Sequence, residues 1–415
     1  MKLNTHKKLT PIVTTLGCLA VASLANAADQ FWDGTGNWSD SSWGAGTGGP
    51  YTDAWSDYNN ATFEGNPSAV TVTGTVNVHN IDFTSAGGGY SIDGGTLNFD
   101  AGAVISNSNN THNHTITSAI TGSPLVNIFD GPAGNGYEGI VFAPGSGTQT
   151  LGAVLNPDNT GTRDKSGIYL SGSTTGNTVT SIAYGGGDKY GTVYKQGTST
   201  WTTGAITTGT IRVSAGTLII NGVGRGDYVG WAVTGGTVGG TGSMVNNDRR
   251  SELLIPSGAT LAPGNSVGTL TAGWNTGGGD PIGDRLNRSL QMLTGSMYEW
   301  ELGVGNASDT IDVDGVKSAL YVDDMVLKII DIGGTPQASD QLAVFTYDVG
   351  ATVDISGFTG TFDTTGATNY DASGASLVDG GSGIVYLTGL TSIPEPSTTA
   401  LLGLGGLALI LRRRK

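Results

Sequence analysis

Cysteine is nearly missing from this chain. Its one cysteine, Cys18, lies in the N-terminal leader. Beyond the leader there is therefore no disulfide framework, no thiolate nucleophile and no Cys-ligated metal. Histidine is almost as scarce: only His79, His112 and His114 lie past the leader, which leaves imidazole catalysis few candidates. Charged residues make up 13% of the chain, against roughly 25% in an average soluble protein. Basic residues are the rarer sign. Of 19 Lys and Arg, seven sit at the two ends, and residues 28–411 hold 12 against 34 acidic residues. Phosphate binding needs clustered Lys and Arg, so nucleic acid is excluded as a partner. The acidic surplus suits a surface outside the cytoplasm. No pattern in the chain points to a cofactor.

What the chain has in excess is glycine, 70 of 415 residues. Gly disfavours a helix by roughly 1 kcal/mol per site, and it supplies the positive φ that tight turns need. Many short strands joined by turns are the expectation. Residues 69–78 put Val70, Val72, Val76 and Val78 on one face at period two. Apolar runs of three to six residues then recur every 8–12 residues with Gly or Asn between, which suits a sandwich, a barrel or a solenoid. Residues 136–200 are the least readable. Their Gly185-Gly186-Gly187-Asp188 does not complete a G-G-x-G-x-D calcium repeat and reads as a loop.

Both ends carry addresses. Lys2, Lys7 and Lys8 precede an apolar run over 9–24, and Ala25-Asn26-Ala27 is a small-x-small cleavage site. That combination is a secretory signal over 1–27. A lipoprotein alternative at Cys18 is weak, because the apolar run continues past it. At the other end, Pro394-Glu395-Pro396 precedes a segment over 400–411 with no polar side chain, and Arg412, Arg413, Arg414 and Lys415 close the chain. Two prolines keep residues 391–397 extended and exposed. With Thr398 and Thr399 the apolar segment reaches about 21 Å as a helix, short against a ~30 Å bilayer core. A single transmembrane helix serving as a transient hold is the expectation. The basic end stays cytoplasmic by the positive-inside rule, which gives the topology the leader also predicts.

Between the ends, residues 210–222, 233–242 and 255–270 repeat a small-Gly-Thr-apolar corner about every 20 residues. One such unit cannot cover its own apolar face; stacked units cover one another. A parallel β-helix is the economical solution, with rows of Thr and Asn at its corners. The expected architecture is all-β: a right-handed parallel β-helix body over 61–345, further strands over 346–390, and a Trp-rich segment over 28–60 covering the first rung. That segment holds Trp32, Trp38, Trp43 and Trp55. Its indoles could also form a sugar-stacking platform, with Trp32 and Trp38 the candidates.

Other candidate sites are thin. His112 and His114 share a strand face and could hold a metal, but no third ligand is near, and a solvated strand or turn is the simpler reading. Asp312-x-Asp314-Gly315 hints at a calcium loop without the EF-hand order or its closing Glu. For glycan cleavage by paired carboxylates, Asp312 and Asp314 share a face, whereas Asp323 and Asp324 point to opposite ones.

Two resemblances sharpen this reading. The Pro394-Glu395-Pro396 motif, apolar segment and Arg cluster resemble the PEP-CTERM sorting signal of Gram-negative bacteria. That resemblance implies that an exosortase recognises the motif, removes the tail and delivers the body to the cell surface, in bacteria that make exopolysaccharide. The repeats resemble autotransporter-associated β-strand repeats, as does the Trp32-Asp33-Gly34…Asn37-Trp38-Ser39 pattern. The similarity implies the fold of a passenger domain and not its export route, since no outer-membrane barrel follows. The leading expectation is a non-enzymatic surface or matrix protein. Its partners would be signal peptidase, an exosortase, the membrane before processing, and exopolysaccharide. A polysaccharide-active enzyme and a glycan-binding adhesin are the alternatives.

Overall fold

The alternation over Ala69–Val78 is realised as one ten-residue strand. Val70, Val72, Val76 and Val78 are all buried. Gly74, at φ +71°, bends the strand where the alternation skips a beat, and the pairing register shifts there. The computed structural model describes residues 27–32, 34, 36–84, 87–108, 112–128, 138–156, 166–184, 191–246, 253–264, 266–274, 290–314, 318–393, 407–409 and 411–413. Nearly all the regular structure in them is β, in long parallel pairings.

The pairing is repetitive. Val70 pairs with Ile92, Ile92 with Ile116, Ile116 with Phe142, Phe142 with Leu170, Leu170 with Lys195, Lys195 with Val213 and Val213 with Val233, always in parallel. Every one of these eight side chains is buried. A second parallel ladder runs Ala61, Ile81, Ile105, Val126, Val154, Ile182, Ile206. A third runs Trp201, Leu218, Val238, Leu261, Tyr298, Leu327, Phe362. Successive partners lie about two dozen residues apart at first and about three dozen apart toward the end. One apolar core joins the ladders along the chain, because each strand turns alternate residues inward.

The three repeated corners stack on one another. Thr217 pairs with Thr237 and Thr237 with Thr260, while Leu218, Val238 and Leu261 line up beside them, buried. Polar rows also form outside. Asn98 donates to Asn77 at 2.8 Å, Asn77 to Asp57 at 3.0 Å, and Thr121 to Asn98 at 2.8 Å.

At the N-terminal end, Asp29–Trp32 pairs in parallel with Asn60–Phe63 and antiparallel with Trp43–Gly44. At the other end the pattern changes to antiparallel. Leu342–Tyr347 takes Ile384–Thr388, which takes Ser376–Asp379. The expected division at residue 346 falls inside the strand Leu342–Tyr347. Among the described residues no helix is long and apolar enough to cross a membrane.

Candidate functional site

The tryptophans near the start do not offer a platform. Trp32, Trp38 and Trp43 have no exposed surface. Trp43 lies 5.0 Å from Trp32, 5.1 Å from Trp38 and 4.6 Å from Trp55, centroid to centroid. Trp38 also packs edge-on against Phe63. The sugar-stacking expectation at Trp32 and Trp38 is thereby overturned: no ring face of either is open to a ligand. The cluster is built as core, because four indoles gain more by covering one another and the first ladder than by facing water.

His112 and His114 also part company. His114 is fully buried, its ring stacked 4.3 Å from Phe83, and its Nδ1 accepts the Tyr90 N–H at 3.0 Å. The solvated reading fails for this residue. Its neutral tautomer must carry the proton on Nε2, a buried atom with no partner among the described residues. Burial, and then the neighbouring His112 charge, push its pKa down to about 4. Among the described residues no group of three His, Cys, Asp or Glu is arranged to hold a metal.

Of the two carboxylate pairs, Asp323 and Asp324 lie past the end of the strand Ala319–Val322, so strand alternation does not apply to them. Asp312 and Asp314 share the outer face of Thr310–Asp314, and Asp312 accepts the Thr346 hydroxyl at 2.7 Å. Asp324 accepts the hydroxyls of Thr359 and Thr361, which holds it below the usual carboxylate range. These contacts tie neighbouring segments together.

Two buried ionisable groups escaped the sequence reading. Lys195 occupies an inward position, 1% exposed, and its Nζ donates to the carbonyls of Gln196, Ala215 and Gly197 at 2.9, 3.0 and 3.3 Å. Burial lowers its pKa to about 8. Asp309 is fully buried; its carboxylate accepts the N–H groups of Gly268 at 2.8 Å and Glu301 at 3.1 Å. Burial lifts its pKa to about 7, against the pull of those two donors and with a push from Glu301. The signal was present: alternation puts Asp309 with Ile311 and Val313, and Lys195 with Val193. The habit of placing charge outside concealed both.

The C-terminal junction is the most distinctive construction. Thr391–Ser392 pairs antiparallel with Tyr370–Asp371. Ser392 donates its N–H at 3.1 Å and its hydroxyl at 2.9 Å to the Pro336 carbonyl, and the Ile393 N–H donates to the Asn369 carbonyl at 2.6 Å. Leu390 is buried just before. Tyr370 is locked from behind, its hydroxyl donating to Asp331 at 2.7 Å and Gly334 at 3.1 Å. The body is thus hydrogen-bonded up to the residue that precedes Pro394. Beside that exit lies a groove of about 380 Å³, lined by Phe362, Thr364, Tyr370, Asp371, Ser373 and Ile393, among others.

Residues 392–415 match the PEP-CTERM protein-sorting motif. The motif marks an exported protein that an exosortase sorts to the envelope of a Gram-negative bacterium. No curated protein matches the chain. Within the sorting motif, Pro394, Glu395, Pro396, Arg414 and Lys415 lie outside the described residues. Residues 407–409 and 411–412 are helical, Arg413 donates its N–H to the Leu409 carbonyl at 3.2 Å, and Leu407, Leu409 and Leu411 are exposed. At the other terminus Ala25 lies outside the described residues. Ala27 is the first described one. Ala28, the first residue after the expected cleavage site, donates its N–H to Asn59 at 3.1 Å.

Proposed function

We propose that this chain is a non-enzymatic surface or extracellular-matrix protein, associated with exopolysaccharide, whose body is a right-handed parallel β-helix. Signal peptidase removes residues 1–27 and the exosortase removes the tail, which holds the chain in the inner membrane until then. The observation that carries this reading is the sorting motif at 392–415 on a body whose buried residues pair in parallel from strand to strand in continuous ladders. Continuous parallel registers with an apolar interior are what stacked rungs require, and the aligned corners at Thr217, Thr237 and Thr260 support the likeness to autotransporter-associated repeats. The non-enzymatic part rests on the employment of the carboxylates singled out for catalysis: Asp312 and Asp324 each accept hydroxyls from a neighbouring segment.

Terminal sequencing of the surface form tests the processing. Expressed in a host that carries an exosortase, the mature chain should begin at Ala28 and lack Arg412–Lys415. A surface form that still ends at Lys415 defeats the proposal.

A further inference from the structure

The sorting motif begins inside the folded body. Its matched residues start at Ser392, and Ser392 and Ile393 are hydrogen-bonded to Pro336 and Asn369. Between Ile393 and the apolar segment at Ala400 lie six residues, 394–399. A fully extended chain covers at most about 3.3–3.6 Å per residue, so the body's C-terminal end stays within roughly 25 Å of the start of the apolar segment. No flexible spacer separates the motif from the body. An enzyme that grips Pro394-Glu395-Pro396 therefore meets the groove beside Ile393 in the same encounter.

Resting on the sorting reading above, we infer that the groove lined by Phe362, Thr364, Tyr370, Asp371, Ser373 and Ile393 is a docking surface for the sorting enzyme, which reads the motif and the end of the body together. The groove's chemistry suits a protein partner. Phe362 and Ile393 offer partly exposed apolar surface. Asp371 adds negative charge, accepting the Ser373 N–H at 2.9 Å. The matching face of the enzyme carries apolar and basic groups. Tyr370, Leu390 and the Thr391–Ser392 pairing hold the exit point rigid, so the angle at which the motif leaves the body is set by the fold.

The test uses the full chain in a host with the sorting enzyme and follows loss of the tail by pulse-chase. Three variants are compared with wild type: a ten-residue Gly/Ser spacer between Ile393 and Pro394, Ser373→Arg at the groove, and Glu395→Ala in the motif. The spacer has a reach of about 17 Å, enough to part the motif from the groove, and it enters after the last strand. Protease resistance of the body confirms that each variant is folded. The spacer and Ser373→Arg should each slow tail removal about five-fold or more, the scale of roughly 1 kcal/mol of lost contact. A spacer chain processed at the wild-type rate or faster overturns the docking surface. Processing of Glu395→Ala at the wild-type rate would instead defeat the sorting reading itself, so the two failures are told apart.

Discussion

A charged side chain on an inward ladder has to be satisfied locally or neutralised, and this body does both. Lys195 reaches three backbone carbonyls in place of a counter-ion. Asp309 takes two backbone N–H groups, yet burial still lifts its pKa to about 7. An unfolded Asp titrates near 3.9. A carboxyl raised on folding stabilises the native state in acid, and its contribution is lost as pH rises from about 4 to about 7. Glu301, displaced upward by burial and by Glu299, acts in the same direction. His114 acts oppositely: held neutral with a pKa near 4, it costs stability as pH falls below about 6.5. The Asp309 contribution can be isolated by difference. Relative to Asp309→Asn, the wild type should lose on the order of 1–4 kcal/mol between pH 4.5 and pH 8, read from urea midpoints. Parallel pH profiles for the two chains would refute it. Lys195 and Asp309 sit in phase with apolar neighbours, but the sequence reading kept charge outside, and nothing in the sequence shows which carbonyls or amides wait within.

Corners were easier to read than strands, because a corner depends on local backbone chemistry and a rung depends on what lies two dozen residues away. The repeated small-Gly-Thr-apolar units are stacked as their spacing suggests. The step between partners varies, from 17 residues between Trp201 and Leu218 to 37 between Leu261 and Tyr298, so the ladders leave no fixed period in the sequence. The Trp-rich segment was legible as an aromatic concentration, and whether its indoles faced water was not decidable before burial was known. The exit at Ile393 left no sequence trace at all, since two-residue pairings such as Tyr370–Asp371 with Thr391–Ser392 carry no pattern. One corner offers a direct check on the stacking. Gly216 sits at φ +65°, and a Cβ there would lie 2.5 Å from the carbonyl oxygens of Gly197 and Ser199, against the carbonyl cage of Lys195. Gly216→Ala should cost about 1–3 kcal/mol through strain at the positive φ and displacement of the backbone at Gly197 and Ser199, measured by chemical denaturation. A change under 0.5 kcal/mol would mean that the corners are not closely stacked.

At the scale of the whole molecule, each strand of the parallel ladders bonds mainly to the strand before and the strand after it, so stability is transmitted from strand to strand and the ends of the ladders are their weak points. The two ends are closed differently. At the C-terminus, antiparallel strands pair beside the last parallel ones and tie down the exit of the sorting motif. At the N-terminus, the indoles of Trp32, Trp38 and Trp43 close the first ladder, with Phe63 and Phe83 stacked behind them at 5.4 Å. Removing an indole from that cluster should open the N-terminal end and leave the far rungs standing. Trp38→Ala is expected to cost roughly 3–5 kcal/mol, the usual loss for a buried aromatic. Trp38→Phe should cost far less, because the Trp38 indole N–H is buried without a partner among the described residues and its removal sacrifices no hydrogen bond. Hydrogen exchange resolves where the loss falls. In Trp38→Ala, amides over 29–83 should lose protection while those of Ile140–Phe142 and Trp300–Leu302 keep it. Uniform loss along the chain would show a single cooperative unit, and the picture of a stack stabilised rung by rung from a covered end would have to be given up.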